Sequence, residues 1–231
     1  MMLFRVVAVN TAPDSENRMH DDAVARKHGF SGGGLVPGVD VFEYLVRGAL
    51  QLDPTWMCSG RQGELRLFKP YFDGEEVLVT APGEGEIHAG DRAILRTSGS
   101  LASPSPAWKN VALPVQRPTA STASLAPGTR LGSLLHCKLI SADGPAKARQ
   151  LLELANQILM QNVILDPWIH TQSKIAWLEA VQTAQQVDVC ATVMAEFERK
   201  GHRLVTLDLH YRESHTGKPV AHVEHTAIWL F

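Results

Sequence analysis

The stretch VDVCATVMAEFERKGHRLVTLDLHY, residues 187–211, decides the fold class of this 231-residue chain. Apolar side chains occupy every second position over 187–197 and again over 205–211. Successive residues of a β-strand point to opposite faces of a sheet, so this alternation is typical of strands with one buried face. Gly201 marks the turn between them. We therefore predict two antiparallel strands, Val187 to Glu198 and Arg203 to Tyr211.

The elements around this stretch complete the second half of the chain. Leu131 to Ser141 has the composition of a strand, and Asp143 can cap a helix with Pro145 in its first turn. The helix has one apolar stripe at helical spacing, formed by Leu151, Leu152, Ala155, Ile158, Leu159 and Val163. Two further strands are predicted, Trp168 to Val181 and Val220 to Phe231.

The first half has the same order of elements. A strand over Leu3 to Val9 precedes a polar, helical stretch over Asn17 to His28, and a buried helix begins at about Pro37. The apolar face of that helix contains Val39, Phe42, Leu45, Val46 and Ala49. Turns at Asp73 to Gly74 and at His88 to Asp91 then separate three predicted strands, Gln62 to Phe72, Glu75 to Glu84 and Ala93 to Ala102.

The two halves share a nearly constant offset. Val39 precedes Leu151 by 112 positions, and Arg92 precedes Arg203 by 111. A period that holds across several elements indicates a duplication. Residues 103–128 are rich in Pro, Ser, Thr and Ala, which is typical of a linker. We predict an α+β chain of two units, 1–102 and 129–231, each a long helix wrapped by an antiparallel sheet, with the linker crossing the surface outside both cores.

Composition excludes several classes of function. The net charge is -2 and the basic residues are scattered, so nucleic acid is not an expected partner. No apolar stretch approaches the roughly 20 residues that span a bilayer, so we expect a cytoplasmic protein without a membrane partner. Three cysteines without a close pair, at Cys58, Cys137 and Cys190, predict neither a disulfide framework nor a zinc knuckle.

A motif near the N-terminus carries chemistry. Asp14-Ser15-Glu16-Asn17-Arg18-Met19-His20-Asp21-Asp22-Ala23 is followed by Gly29-Phe30 and by Leu35-Val36-Pro37-Gly38-Val39. This resembles the hydratase motif of the MaoC-like double hot-dog family, D-x-N-P-x-H-x-D, then G-F, then a Gly at the head of a helix. Asn17, His20, Asp22, Phe30 and Gly38 match positions of that motif. Arg18 replaces its Pro, and Ser15 stands at the place of its catalytic Asp, one residue after Asp14.

The resemblance implies a double hot-dog fold and an enoyl-thioester hydratase or dehydratase. His20, Asp14 and Asn17 would be catalytic, while Gly38, Val36 and Phe30 would bind the substrate. Such a reaction needs a base to activate water and an acid to protonate the α carbon, and a backbone N–H at a helix N-terminus stabilises the thioester oxygen. The implied partner is an acyl-CoA or acyl-carrier-protein thioester, without a cofactor; a homodimer is left open.

Two alternatives remain at this stage. The chain can be a degenerate hot-dog protein that binds an acyl group, or serves as a dehydratase subunit, without catalysis of its own. It can also be a hot-dog thioesterase, for which the helix-borne candidates are Glu43, Glu153 and Asn156.

The histidines of the second half do not predict a metal site. His210 and His222 fall on neighbouring predicted strands, but their spacing matches no compact metal-binding motif, so we expect no metal. We expect Trp168 to pack at the seam between the two units and His170 to be hydrogen-bonded within the sheet.

Overall fold

The structure is a computed structural model that describes residues 1–99, 108–140 and 143–231. Within these residues ten strands form one sheet, with every neighbouring pair antiparallel, in the order β1-β3-β4-β5-β2-β7-β10-β9-β8-β6. The strands are β1 Met2–Val7, β2 Arg61–Leu67, β3 Glu76–Gly83, β4 Glu86–Ala89, β5 Ala93–Gly99, β6 Arg130–Lys138, β7 Ile169–Trp177, β8 Gln186–Arg199, β9 His202–Glu213 and β10 Pro219–Leu230. The helices are α1 Asp22–Lys27, α2 Gly38–Leu52 and α3 Gly144–Asn162, and Arg18–His20 forms a single 3-10 turn.

The sheet is continuous from one half of the chain to the other. β1 to β5 occupy one side of it and β6 to β10 the other, and β2 and β7 are the two strands that join them. Their register runs from Gln62 opposite Ala176 to Arg66 opposite Gln172. The junction is therefore held by the same backbone hydrogen bonds that build each half.

Helices α2 and α3 pack on one face of this sheet and against each other. α2 contacts β1, β3, β4 and β5, whereas α3 contacts β6, β8 and β10. Phe42 and Leu45 of α2 and Ala155 and Ile158 of α3 are fully buried, so the apolar faces read from the sequence are the packed ones. An ion pair between Asp40 of α2 and the Arg149 guanidinium of α3 connects the two helices.

The region around α1 and strand β4 differ from the predicted elements. The polar stretch Asn17 to His28 divides into a 3-10 turn and α1, because Asn17 caps the turn and Asp21 caps the helix. β4, which overlaps the predicted turn at His88 and Ala89, pairs with β3 and β5. Its four residues alternate polar and apolar, but four is the shortest run in which alternation indicates a strand.

The described part of the linker, residues 108–128, contains no helix or named strand. The expectation that it stays outside the core is wrong at Leu125, which is fully buried in the main hydrophobic cluster. Two backbone hydrogen bonds attach the segment to the second half of the chain. Gly128 N–H donates to the Val193 carbonyl, and Ala120 N–H donates to the Ile164 carbonyl. One apolar side chain in a Pro- and Ser-rich segment gives no periodic signal.

No helix within the described ranges is both long enough and apolar enough to cross a membrane.

Candidate functional site

A cavity of about 350 Å³ with a mostly apolar wall lies where the two halves of the chain meet. The first half contributes the segment before α1, the start of α2 and the end of β2. The second half contributes α3, the start of β7 and the end of β10. Every residue that the sequence assigned to the site lines this cavity except Asp14; these residues are Asn17, His20, Phe30, Val36 and Gly38.

The imidazole of His20 is held in one orientation. It is the last residue of the 3-10 turn, and its Nδ1 donates to the Leu35 carbonyl at 2.6 Å. With the proton on Nδ1, Nε2 is the basic nitrogen, and the Asn17 amide Nδ2 lies 3.4 Å from it. Burial lowers the pKa of His20, against the opposing effects of the Leu35 carbonyl and the Asp40 carboxylate. His20 is therefore a neutral base at pH 7.

Asn17 positions other groups of the site. Its Nδ2 donates to the Trp168 carbonyl at 3.0 Å, and its Oδ1 accepts the Trp168 N–H at 3.2 Å. The same Oδ1 accepts from Met19 N–H and so caps the turn that presents His20. Asn17 thus fixes a backbone segment from the other half of the chain against the turn.

Gly38 is the first residue of α2, and its position requires the absence of a side chain. A Cβ on Gly38 would lie 2.5 Å from Leu67 Cδ1 and 3.0 Å from His170 Nδ1. Pro37 precedes it without a side-chain cap. The first N–H groups of a helix have no partner within the helix and stand at the positive end of its dipole. The start of α2 therefore offers backbone donors to a negatively charged oxygen in the cavity.

The carboxylates of the motif do not reach the cavity. Asp14 is exposed, and the Ser15 hydroxyl donates to the Asn17 carbonyl at 3.1 Å. Asp22 accepts from Gly34 N–H at 2.8 Å, and this bond, followed by the Arg26 charge, lowers the pKa of Asp22. Among the described residues, no Asp or Glu lines the cavity. The role assigned to Asp14 from the sequence thus lacks the geometry it needs, because the chain places that side chain in solvent.

The thioesterase alternative also lacks a carboxylate at the cavity. Glu43 pairs with Arg47 and Glu153 pairs with Arg149, and neither glutamate lines the cavity. Asn156 of α3 does line it, and its buried Oδ1 has no hydrogen-bond partner in the described part of the chain.

His170 borders the cavity from β7. Its Nε2 lies 2.9 Å from the Ser173 hydroxyl, and its ring stacks on His225 with centroids 4.3 Å apart, so it is hydrogen-bonded in the sheet as expected. Burial lowers the pKa of His170 to about 4. Its Nδ1 is buried beside Gly38 and has no hydrogen-bond partner among the residues that the structure describes. The contact with Gly38 cannot be predicted from the amino-acid sequence, because the two residues meet only in the folded chain.

Three rings form a cluster in one part of the wall. The Phe231 ring lies 5.4 Å from the ring of His28 and 5.4 Å from that of His202. These residues come from α1's C-cap, the start of β9 and the residue after β10, so no motif in the sequence connects them.

Comparison with known proteins identifies the fold. No family model and no curated protein matches the chain. A conserved hypothetical protein of Mycobacterium tuberculosis with a double hotdog fold is similar over 99% of this chain and 95% of its own, with 10% identity and a TM-score of 0.58. The GphF dehydratase is similar over 99% and 93%, with 12% identity and a TM-score of 0.54. A trans-acyltransferase polyketide synthase enoyl-isomerase is similar over 96% and 98%, with 9% identity and a TM-score of 0.52.

These likenesses confirm the hot-dog class of fold that the sequence predicted. At such low identity they define the fold alone, so the function is argued from the cavity.

Proposed function

We propose that the cavity binds an acyl thioester, carried on coenzyme A or an acyl carrier protein, and that the chain is a MaoC-like enoyl-thioester hydratase or dehydratase. The observation that carries the proposal is that His20 and Gly38 line the same mostly apolar cavity. An acyl chain needs an apolar wall, and its thioester needs a few polar groups at one point of that wall.

The chemistry assigns a role to each group. The thioester oxygen would accept from the Gly38 N–H, which stabilises the negative charge that develops there as the double bond reacts. His20 Nε2 would take the proton from the water that adds to the β carbon and pass it to the α carbon, and in dehydration it would take the α proton and pass it to the leaving hydroxyl, since Nδ1 is committed to the Leu35 carbonyl. Asn17 would position His20, and Val36 and Phe30 would contact the acyl chain.

A second candidate function follows from the lack of a carboxylate among the described lining residues. One base suffices to move a double bond: it removes a proton from the α carbon of a 3-enoyl thioester and returns it to the γ carbon, giving the 2-enoyl thioester. Water does not take part, and the only charge to stabilise is that of the dienolate oxygen. His20 and Gly38 supply both requirements. Among the structural relatives above, one is itself an enoyl-isomerase.

One absorbance experiment distinguishes these functions. Hydration of a short 2-enoyl-CoA removes the conjugated thioester absorbance, whereas isomerisation of a 3-enoyl-CoA creates it. We expect the rate of the absorbance change to fall by about 100-fold or more in His20→Gln. In His215→Gln, which replaces an exposed histidine, the rate should equal that of the parent. If His20→Gln reacts as fast as the parent, the proposed role of His20 is wrong. If a saturated acyl-CoA binds but neither reaction occurs, the chain is an acyl-binding protein without catalysis.

The division into units belongs to the same proposal. We infer two hot-dog units, 1–102 and 129–231, each built round one long helix, with 103–128 between them. Support comes from the sheet order, in which strands of the first 99 residues stay together and meet the rest only at β2 and β7.

A further inference from the structure

Three side chains of metal-ligating type meet on the outer face of the sheet, away from the cavity. In β9 and β10 the residues that face the helices are buried and, apart from His225, mostly apolar, for example Leu209 and Val223, and the residues between them face outward. Asp208, His210 and His222 are of the second kind. His210 lies directly opposite His222 in the strand register, and their rings stack with centroids 4.5 Å apart.

Both histidines direct the same nitrogen at one carboxylate. His222 Nε2 lies 2.5 Å from Asp208 Oδ1, and His210 Nε2 lies 3.2 Å from Asp208 Oδ2. One ligand atom from each of the three residues falls within 4.8 Å of the other two, and all three residues are half-buried or nearly buried. The rings and the carboxylate are thus gathered round one point before any ion is present.

We infer that Asp208, His210 and His222 bind a divalent first-row transition metal, with Zn²⁺ as the reference ion. Two imidazole nitrogens and one carboxylate oxygen form a ligand set that such ions favour over Mg²⁺ or Ca²⁺. Ligand atoms in a tetrahedral zinc site are roughly 3.3 Å apart, as follows from bond lengths of about 2.0–2.2 Å. The separation of His210 Nε2 and Asp208 Oδ2 already fits this distance. His222 Nε2 approaches the other oxygen, Oδ1, so the His222 ring and the Asp208 carboxylate have to shift for one oxygen and both rings to bind the same ion.

The charge of Asp208 supports the inference. Among the described residues its ion-pair partners are these two histidines, with no Lys or Arg. The nearby Arg212 instead pairs with Asp188 and stacks on Trp108. Asp208 is partly buried, and its carboxylate faces the two imidazoles. A divalent ion bound among these three groups would offset the carboxylate charge and would be bound by each ring through Nε2.

The sequence alone does not predict this site, and our expectation of no metal rested on spacing. Asp208 and His210 are two residues apart, but His222 joins them only because β9 and β10 pair in the observed register. A shift of one residue would turn His222 to the helix face.

Isothermal titration with Zn²⁺, on metal-stripped protein without an affinity tag, tests the inference. We expect one site per chain, with affinity lowered at least about 100-fold in both His210→Gln and His222→Gln, since loss of a direct ligand exceeds the roughly 10- to 100-fold effect of second-shell changes. His215→Gln, which replaces an exposed histidine in the turn before β10, should bind as the parent does. Co²⁺ should give a visible absorption spectrum that both ligand variants lose.

Equal Zn²⁺ affinity in parent and His222→Gln, or no binding by the parent, would overturn the inference. Far-ultraviolet circular dichroism of each metal-free variant checks that it is folded, and Asp208→Asn is used in place of any variant that is not. Because the cluster and the cavity lie apart, neither result depends on the thioester proposal.

Discussion

Asn17 holds Trp168 by both of its backbone polar groups, across 151 positions of the sequence. The amide donates to the carbonyl and accepts from the N–H, as a neighbouring strand would. Asn17 is also the N-cap of the turn that ends at His20. A residue that the motif would assign to catalysis is therefore a connector between the two halves of the chain.

Replacing Asn17 with Ala should destabilise the fold. The change leaves the buried Trp168 N–H and carbonyl without partners, so we expect the free energy of unfolding to fall by about 2–3 kcal/mol. Urea denaturation measures it. Asn110→Ala, which removes an exposed amide that bonds the Trp108 indole, should change it by less than about 0.5 kcal/mol. Equal effects of the two substitutions would show that the Asn17 contacts contribute nothing special.

Gly38→Ala should weaken acyl-CoA binding. The new methyl group would lie 2.5 Å from Leu67 Cδ1 and 3.0 Å from a His170 ring that Ser173 holds in place. We expect the affinity for a saturated acyl-CoA to fall at least about tenfold, or about 1.4 kcal/mol. Gly83→Ala adds the same methyl group with no atom within 4 Å and should leave binding unchanged. Unaltered binding by Gly38→Ala would place the thioester elsewhere.

Stability should decrease as the pH falls from 6.5 to about 4. Burial lowers the pKa of His170 to about 4 from its ordinary 6.5, and lowers the pKa of His225 as well. The unfolded chain then binds more protons in this range, so the stabilisation is complete above pH 6.5 and is lost as the pH drops through the folded value. For His170 the loss is on the order of 3 kcal/mol.

Urea midpoints at several pH values measure that slope. His170→Gln keeps a polar side chain but cannot titrate, so its stability should decline less steeply over the same range. A slope equal to that of the parent would mean that His170 is not protonated in this interval on unfolding.

Arg149→Leu should lower the free energy of unfolding by more than the loss of an exposed ion pair does. It leaves Asp40, whose side chain is 5% exposed, with the Thr11 hydroxyl as the other hydrogen-bond partner seen in the described residues. We expect a loss of about 3 kcal/mol in thermal or urea unfolding, because an uncompensated buried charge remains. Arg26→Leu removes the exposed pair with Asp22 and should cost less than about 1 kcal/mol. A cost for Arg149→Leu as small as this would mean that water solvates the Asp40 carboxylate.

Much of the fold can be read from the sequence because its signals are local. Strict alternation gives β8 and β9, and an apolar stripe gives α3. β4 alternates over only four residues, the shortest run that indicates a strand, and Leu125 is a single apolar side chain without a period. The composition of the linker predicts its lack of strands but not its anchor in the core.

The site residues also divide into those that local spacing predicts and those that depend on the folded chain. Local spacing finds His20 and Gly38, which lie on either side of α1 within one motif. It places Asp14 wrongly, because the side-chain direction of an exposed loop residue is not encoded by spacing. His170 beside Gly38, and His222 beside Asp208, depend on how distant strands align, and a single sequence carries no record of that alignment.

The pairing of β2 with β7 also determines how a ligand enters. The cavity takes its walls from both halves, yet five consecutive residue pairs run through the junction. Separating the halves would break the backbone hydrogen bonds of these pairs, so the sheet holds the two walls of the cavity together. A ligand therefore has to enter between exposed side chains of the wall, among them Phe68 and Phe231.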